Sequence, residues 1–369
     1  MKAIQWIISA LVAVVIIAAA VGGGVYFTRL KSIHSIRKLT DYENYNLYRM
    51  DIDYAYDLDR LIDRGITDNQ SMINAILAEA LPYLPIHMKA PNFGCSAFCT
   101  QGTDGHTLMG RNYDFKNDTS AMLVYCTPKD GYASVAFAAL DNINANTPDA
   151  SMAKKLATLT APFICLDGMN EKGVSIAVLT LDSDPTYQQT GKPMIATTLA
   201  IRLVLDRAAT TAEAVELLSK YDMFASSGRD YHFYITDASG DGRVLEYACN
   251  APPRPLTVTP SRSVTNFFVM YKDNVLPNQR NGVYGHGRER YDAIEEILDA
   301  NAGSIDREIA WQALQAASQA PNPQDVTSNT QWSILYDNTA LTAEAVIRRD
   351  WNTKTSYDLV SNVAVTDVG

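Results

Sequence analysis

The hydrophobic positions in the first quarter of the chain indicate helices. Residues 4–27 form one apolar stretch without a charged side chain. Residues 52–63 and 70–81 are shorter, and in the second stretch the apolar positions recur three or four residues apart, on one face of a helix. Asp68 suits the cap position before this helix, and three prolines break the chain after it. We therefore predict two helices between the apolar stretch and residue 94.

The pattern changes at Cys95, where short apolar runs typical of strands begin. Gly102, Asp104 and Gly105 lie between two such runs and predict a tight β-hairpin. Strands are predicted at 95–101, 106–111, 122–127, 133–138, 174–181, 232–236, 244–247, 331–336, 343–349 and 356–359. Helices are predicted at 196–208, 211–220, 288–300 and 306–317. Strands followed by helices and then by more strands favour an α+β sandwich over a doubly wound parallel sheet.

The apolar stretch at residues 4–27 is long enough to cross a membrane. Its residues would span roughly 36 Å as a helix, against about 30 Å for the hydrocarbon core of a bilayer. A cleaved signal peptide is the alternative, with residues 18–20 as its cleavage site, but the apolar core of a signal is usually shorter. Basic residues after the stretch favour a cytoplasmic body, whereas the very short tail before it favours export. We expect an uncleaved membrane anchor and an extracytoplasmic catalytic domain.

Composition argues against several classes of function. The 369-residue chain has a net charge of −10 and no basic block beyond its N-terminal region, which argues against a nucleic-acid partner. Its five cysteines are too few and too scattered for a disulfide framework. No glycine-rich phosphate loop is present, and Cys95 and Cys99 lack the further ligands that a zinc site needs. We therefore expect no metal and no cofactor.

The segment from Gly94 to Phe115 brings together side chains that suit nucleophilic catalysis. Cys95 begins a strand, and the predicted hairpin returns Arg111 and Asp114 beside it. If the bond before Cys95 is cut, the freed α-amine, with a pKa of about 8, can take the proton of the neighbouring thiol as a general base. Arg111 would then stabilise a thiolate or hold a substrate carbonyl, and Asp114 would orient the amine. The alternative is a structural ion pair between Arg111 and Asp114.

These residues resemble the opening motif of a known family. Cys95, Asp104–Gly105 and Gly110–Asn112 with Asp114 are similar to the motif of the choloylglycine hydrolases, which include bile salt hydrolases and penicillin V acylases. Residues 169–173 (MNEKG) and 332–337 (WSILYD) are also similar to motifs of this family. The resemblance covers roughly residues 95–359 and implies the four-layer αββα sandwich of the N-terminal nucleophile hydrolases. The catalytic residues that it implies are Cys95, Arg111, Asp114, Arg290 as a second arginine, and Asn266 as the oxyanion donor.

The chain also departs from the bile salt hydrolases. Thr180 stands where those enzymes carry a further asparagine, which makes bile salts less favoured substrates, and the spacing from Asn266 to Arg290 is shorter. The long segment before Cys95 resembles acid ceramidase and the amidase acting on N-acylethanolamines, which cleave themselves before the cysteine. By this analogy the helices of residues 52–81 would stay bound after cleavage. Asn170 is interpreted as a structural turn residue.

Together these observations predict three parts of the chain. Residues 1–30 form a transmembrane anchor or signal, residues 31–94 a helical pro-segment, and residues 95–369 an amidohydrolase domain. The predicted activity is hydrolysis of linear C–N bonds in small-molecule N-acyl amides, with Cys95 as the nucleophile. An acyltransferase that uses the same acyl-enzyme and a non-catalytic binding protein with this fold are the alternatives. The sequence leaves open the acyl group, the amine, and whether the protein forms a homo-oligomer.

Overall fold

The computed structural model describes residues 23–82, 94–115, 117–280, 282–322 and 328–368. Within these residues the chain forms two large β-sheets with helices on their outer faces, so the mixed α/β fold predicted from the sequence is confirmed. The first helix, α1, occupies residues 23–34. The later helices are α2 (Leu58–Asp63), α3 (Asn69–Ala80), α4 (Met152–Ala157), α5 (Thr197–Arg207), α6 (Thr211–Ser219), α7 (Arg288–Ala300) and α8 (Arg307–Ala317).

The larger sheet contains nine of the described strands. In spatial order they are β1 (Arg37–Lys38), β2 (Leu47–Ile52), β5 (Ala121–Cys126), β6 (Ser134–Ala139), β7 (Cys165–Asn170), β8 (Ser175–Leu181), β11 (Asp230–Thr236), β12 (Arg243–Tyr247) and β13 (Leu256–Pro260). Within it β2 and β5 pair in parallel, and the other neighbours are antiparallel. A separate small sheet pairs β9 (Met194–Ala196) with β10 (Asp222–Phe224).

The smaller of the two large sheets carries Cys95. In spatial order its seven described strands are β14 (Ser263–Val264), β3 (Gly94–Gln101), β4 (Thr107–Asp114), β15 (Thr330–Asp337), β16 (Thr342–Ile347), β17 (Thr353–Asp358) and β18 (Val363–Val368). Because β14 runs antiparallel to β3, with Val264 opposite Ala97, the residues that follow β14 are directed towards the start of β3. This register brings Asn266 to Cys95.

The two large sheets face each other, and each has helices on its other face. The contact between the sheets includes β3 and β8, α5 packs on β7 and β8, and α7 and α8 pack on β3, β4 and β15. One apolar core lies between the sheets and continues under α5. A second core lies under α7 and α8 and includes Phe98, Leu108, Ile294, Leu298, Trp311 and Leu314. The described chain is therefore layered helix, sheet, sheet, helix.

The predicted hairpin is formed by β3 and β4. At its turn the Gly102 N–H donates to the His106 carbonyl at 2.8 Å, and Gly105 has a φ of +81°, which favours glycine. Successive side chains of a strand point to opposite faces. Cys95 and Cys99 accordingly belong to the core between the sheets, whereas Phe98 faces α7 and α8.

The segment before Cys95 is only partly helical. The helix predicted at 70–81 is present as α3, and Asp68 caps it by accepting from the Ser71 N–H. Of the helix predicted at 52–63, only Leu58–Asp63 is helical, as α2, and Ile52 ends strand β2. Residues 31–94, predicted as a helical pro-segment, also contain β1 and β2, which join the nine-stranded sheet. Except for Asp51, the residues of β2 are buried. The segment therefore contributes two strands to the larger sheet.

The predicted membrane anchor at residues 4–27 lies mostly outside the described residues. From residue 23 onwards the described residues belong to α1. Among the helices that the structure describes, none has the length and apolar character needed to span a bilayer.

Candidate active site

Cys95 occupies the second position of β3 and is fully buried. Its backbone N–H donates to Asn266 Oδ1 at 3.1 Å, and its carbonyl accepts from Arg290 Nη1 at 2.8 Å. Burial raises the pKa of the thiol to about 11, and the Arg111 guanidinium within hydrogen-bonding reach of the sulfur acts in the opposite direction. The nitrogen and the sulfur of this one residue thus have different partners.

Arg111 lies on the neighbouring strand β4 and is completely buried in the core between the sheets. Its Nε is 2.7 Å from Asp167 Oδ2, and its Nη2 donates to the Val178 carbonyl at 3.1 Å. A buried guanidinium needs a partner of opposite charge, because the cost of removing it from water is otherwise large. The pair with Asp167 therefore keeps a positive charge next to the Cys95 thiol.

Asp167 is a site residue that the sequence analysis did not single out. It lies in β7, is fully buried, and accepts hydrogen bonds from the Tyr336 hydroxyl at 2.6 Å and from Trp332 Nε1 at 3.2 Å. Burial raises the pKa of its carboxyl group, and Arg111 opposes that shift. An isolated acid in an apolar run, two residues before the MNEKG loop at Met169, was the signal that could have identified it.

Asp114, at the end of β4, accepts three side-chain contacts. Thr330 Oγ1 donates to Oδ1 at 2.6 Å, Gln319 Nε2 donates to Oδ2 at 2.7 Å, and Arg290 Nη1 lies 3.4 Å from Oδ2. Burial raises the pKa of this carboxyl group, and the charge of Arg290 opposes the shift. Neither Thr330 nor Gln319 was predicted from the sequence. These contacts hold Asp114 beside Arg290, the residue that binds the Cys95 carbonyl.

Asn266 and Arg290 complete the cluster around Cys95. Arg290 Nη2 donates to Asn266 Oδ1 at 2.7 Å, and Asn266 Nδ2 donates to the Thr180 carbonyl at 2.9 Å. The Cys95 N–H and Arg290 are both donors, so the atom of the Asn266 side-chain amide that faces them must be the oxygen. An amide nitrogen has two hydrogens, so Nδ2 keeps a second one for another acceptor. All five predicted site residues therefore lie together.

Two glycines allow this packing around Asn266 and Arg290. A Cβ on Gly285 would lie 2.1 Å from the Asn266 carbonyl oxygen, and one on Gly287 would lie 2.4 Å from Arg290 Nη2. Both residues have positive φ angles, +103° and +87°. Gly287 also forms the residue before α7, which carries Arg290. The turn before α7 therefore needs glycine for both conformation and space.

The remaining candidates behave as structural residues. Asn170 donates to the carbonyls of Leu205 and Ala208 and accepts from the N–H groups of Lys172 and Val174, so it stabilises the predicted turn. His106, His232 and His286 pair with carboxylates, and these partners are Asp337, Glu246 and Asp182. Among the described residues, no group of three or more His, Cys, Asp or Glu side chains is arranged to hold a metal ion.

Comparison with known proteins gives a family and a fold. The family model of linear amide C–N hydrolases, choloylglycine hydrolase family, matches residues 95–251. Penicillin V acylase from Agrobacterium tumefaciens is structurally similar, with a TM-score of 0.52 and 18% identity over 72% of this chain and 86% of that chain. A variant of the conjugated bile acid hydrolase from Clostridium perfringens has a TM-score of 0.53 and 15% identity over 74% and 97%. No curated protein sequence matches the chain.

The family match begins at Cys95, the residue on which the site is centred. It includes Arg111, Asp114 and Asp167, while Asn266 and Arg290 lie beyond it and join the site through the fold. The solved structures agree in overall fold across nearly three quarters of the chain. Residues 95–251 of the chain are thus similar to the choloylglycine hydrolase family of linear amide C–N hydrolases.

Proposed function

We propose that this hydrolase of the N-terminal nucleophile type uses Cys95 as its nucleophile and becomes active when the Gly94–Cys95 bond is cut. The proposal rests on the observation that the backbone nitrogen and the thiol of Cys95 face different side chains. Its nitrogen faces Asn266 Oδ1, and its thiol faces Arg111. Cleavage would convert that nitrogen into an α-amine with a pKa of about 8, adjacent to its own thiol.

Cleavage would provide a way to deprotonate the Cys95 thiol. With a pKa of about 11, the buried Cys95 thiol is almost entirely protonated at neutral pH, and the thiolate is the reactive form. A free α-amine next to the sulfur supplies a general base at the thiol itself. Arg111 then stabilises the thiolate, because an opposite charge nearby favours the ionised form.

The reaction then follows from these positions. The α-amine takes the thiol proton, and the sulfur attacks the amide carbonyl to form a tetrahedral intermediate. The second N–H of Asn266 Nδ2 stabilises its oxyanion, a contribution of about 3 kcal/mol for a donor of this kind. The C–N bond breaks as the ammonium returns its proton to the leaving amine. Water, activated by the same amine, hydrolyses the thioester and regenerates the thiol.

Cleavage would leave a two-chain protein. Strand β2 pairs with β5 along its whole length, and the fully buried Arg49 of β2 lies 2.8 Å from Asp51 and donates to the Asn362 carbonyl at 3.1 Å. The Arg29 side chain of α1 donates to the Ala80 carbonyl, which ties α1 to α3. We therefore expect the segment before Cys95 to remain bound without a covalent link.

A cavity of about 760 Å³ next to the site suits the substrate. Asp182 lines this cavity together with Tyr187, Arg254 and Val283. Asp182 Oδ2 lies 2.6 Å from His286 Nδ1, and the His286 backbone N–H donates to the Asn266 carbonyl, so His286 connects the cavity wall to the backbone of Asn266. The exposed Tyr187 and Val283 favour an apolar acyl group.

The test compares two cysteines of the same strand. Cys95→Ala is expected to abolish cleavage before residue 95 and to lower amide hydrolysis by at least ~10⁴-fold, since it removes the nucleophile. Cys99→Ala, which removes another buried thiol four residues away, is expected to retain both activities. Substrates are a fatty N-acyl amide, a conjugated bile salt and penicillin V, with intact mass measured in parallel. An active Cys95→Ala protein would refute the proposal.

A further inference from the structure

The segment that carries Asn266 is held on both sides by one pair of buried side chains. Before Asn266, the Thr265 carbonyl accepts a hydrogen bond from His232 Nε2 at 2.9 Å. After it, Glu246 accepts from the Val269 N–H at 2.6 Å and from the Met270 N–H at 3.0 Å. His232 Nδ1 and Glu246 Oε1 are 3.0 Å apart, so the two contacts belong to a single unit.

This pair connects the two large sheets. His232 lies in β11 and Glu246 in β12, both in the nine-stranded sheet, whereas Thr265 follows β14 at the edge of the seven-stranded sheet. His232, Glu246, Thr265 and Asn266 are all fully buried. A hydrogen bond between such groups is shielded from competing water, so it fixes the backbone more strongly than a surface contact would.

The hydrogen bonds also determine where the protons lie. A carbonyl oxygen can only accept, so His232 Nε2 carries a hydrogen towards Thr265. Glu246 accepts the two backbone N–H groups on separate oxygens, Oε1 from Val269 and Oε2 from Met270. His232 Nδ1 faces Glu246 Oε1, so the imidazole ring links the Thr265 carbonyl to the Glu246 side chain.

We propose that the His232–Glu246 pair is a positioning device for the oxyanion donor Asn266, and this inference rests on the proposed function. The pair fixes the main chain at Thr265 and at Val269, which sets the direction of the Asn266 side chain between Cys95 and Thr180. Neither His232 nor Glu246 touches the reacting atoms. They affect hydrolysis only by fixing the position of the Asn266 side-chain amide.

The test separates turnover from substrate binding. In His232→Phe the Thr265 carbonyl loses its donor, and we expect kcat to fall by about 100-fold, the loss associated with a misplacement near 1 Å. KM is expected to stay within about twofold, because Asn266 stabilises the transition state more than the bound substrate. His232→Gln keeps an N–H near the position of Nε2 and is expected to recover kcat to within about tenfold of the wild type. The substrate is whichever of a fatty N-acyl amide, a conjugated bile salt and penicillin V the wild type hydrolyses fastest.

Two further variants make the result decisive. Glu246→Gln preserves side-chain volume, so it tests the positioning role of the pair if His232→Phe does not fold. A lower kcat with unchanged KM in Glu246→Gln supports the proposal. His106→Gln, at a partly exposed histidine that pairs with the buried Asp337 near the hairpin turn, is the control and should match the wild type. An unchanged kcat in folded His232→Phe or Glu246→Gln would overturn this inference alone. Activity in Cys95→Ala would overturn it together with the proposed function.

Discussion

The two ends of strand β3 present the same residue in two environments. Cys95 and Cys99 are both buried, both belong to the core between the sheets, and both have a thiol pKa raised by burial to about 11. They differ in their charged neighbours. The Cys95 thiol faces the Arg111 guanidinium, whereas Cys99 Sγ lies 3.0 Å from Thr236 Oγ1, with the carboxylates of Asp237 and Asp241 nearby.

This difference shows that burial alone does not distinguish the proposed nucleophile, Cys95, from Cys99. Burial suppresses the thiolate at both ends of the strand. At Cys95 the Arg111 cation favours the thiolate more strongly than the Asp114 carboxylate disfavours it, while at Cys99 the nearby charges of Asp237 and Asp241 both disfavour it. The start of β3 also has a backbone nitrogen with its own acceptor, Asn266. The chemistry of each thiol is therefore set by its neighbours.

Replacing Arg111 should make the Cys95 end resemble the Cys99 end. Arg111→Met removes the cation, so we expect kcat/KM to fall by about 100-fold or more, as for the loss of one preorganised stabilising group. It also leaves the buried Asp167 without its cation, which should cost about 3–5 kcal/mol of folding free energy. Kinetics and thermal unfolding, measured on the same preparation, separate the two effects. A wild-type kcat/KM in folded Arg111→Met would contradict the claim that the Arg111 cation distinguishes Cys95 from Cys99.

Replacing Asp114 should have a smaller effect that depends on pH. Burial raises the pKa of Asp114, so this carboxyl group gains a proton at a higher pH than an exposed aspartate, whose pKa is about 3.9. Activity that needs the carboxylate should therefore fall with decreasing pH while the pH is still above 4. We expect Asp114→Asn to lose about tenfold in kcat/KM at pH 7, an effect of the order of one hydrogen bond. The low-pH side of its pH profile of kcat/KM should also be displaced from that of the wild type. Identical pH profiles of kcat/KM for the two proteins would exclude this role.

Replacing Thr236 should have the smallest effect, because it alters the Cys99 end alone. Thr236→Val removes the hydroxyl that lies beside Cys99 Sγ, with an expected cost of about 1 kcal/mol in folding free energy. Cleavage before Cys95 and kcat/KM should both match the wild type. A large loss of activity in a folded Thr236→Val protein would mean that the two ends of β3 are not independent.

Local patterns in the sequence accounted for much of the fold. The helix predicted at 288–300 coincides with α7, and the predicted hairpin is formed by β3 and β4. Strand β2 was missed, because its sequence LYRMDI alternates poorly and it is buried through parallel pairing with the distant β5. Strand β7 was missed as well, since Asp167, Gly168 and Asn170 interrupt its apolar pattern.

The sequence predicted some residues of the candidate active site more readily than others. Arg111 and Asp114 reach Cys95 through a hairpin whose turn residues are visible in the sequence. Asn266 lies 171 positions after Cys95 and Arg290 lies 195 positions after it, so only the family resemblance suggested them. Asp167 left only a weak signal, an isolated acid in an apolar run, and its pairing with Arg111 across the two sheets required the folded structure. The His232–Glu246 pair also required it, because its importance comes from the contact with Thr265.

The most direct test of the central claim measures cleavage and activity in the same samples. Freshly purified protein is sampled over time, the fraction of chains that begin at Cys95 is determined by mass spectrometry, and amide hydrolysis is assayed in parallel. The α-amine mechanism predicts that activity rises in proportion to that fraction, while native mass shows both fragments still associated. Full activity in chains whose Gly94–Cys95 bond is intact would contradict the mechanism.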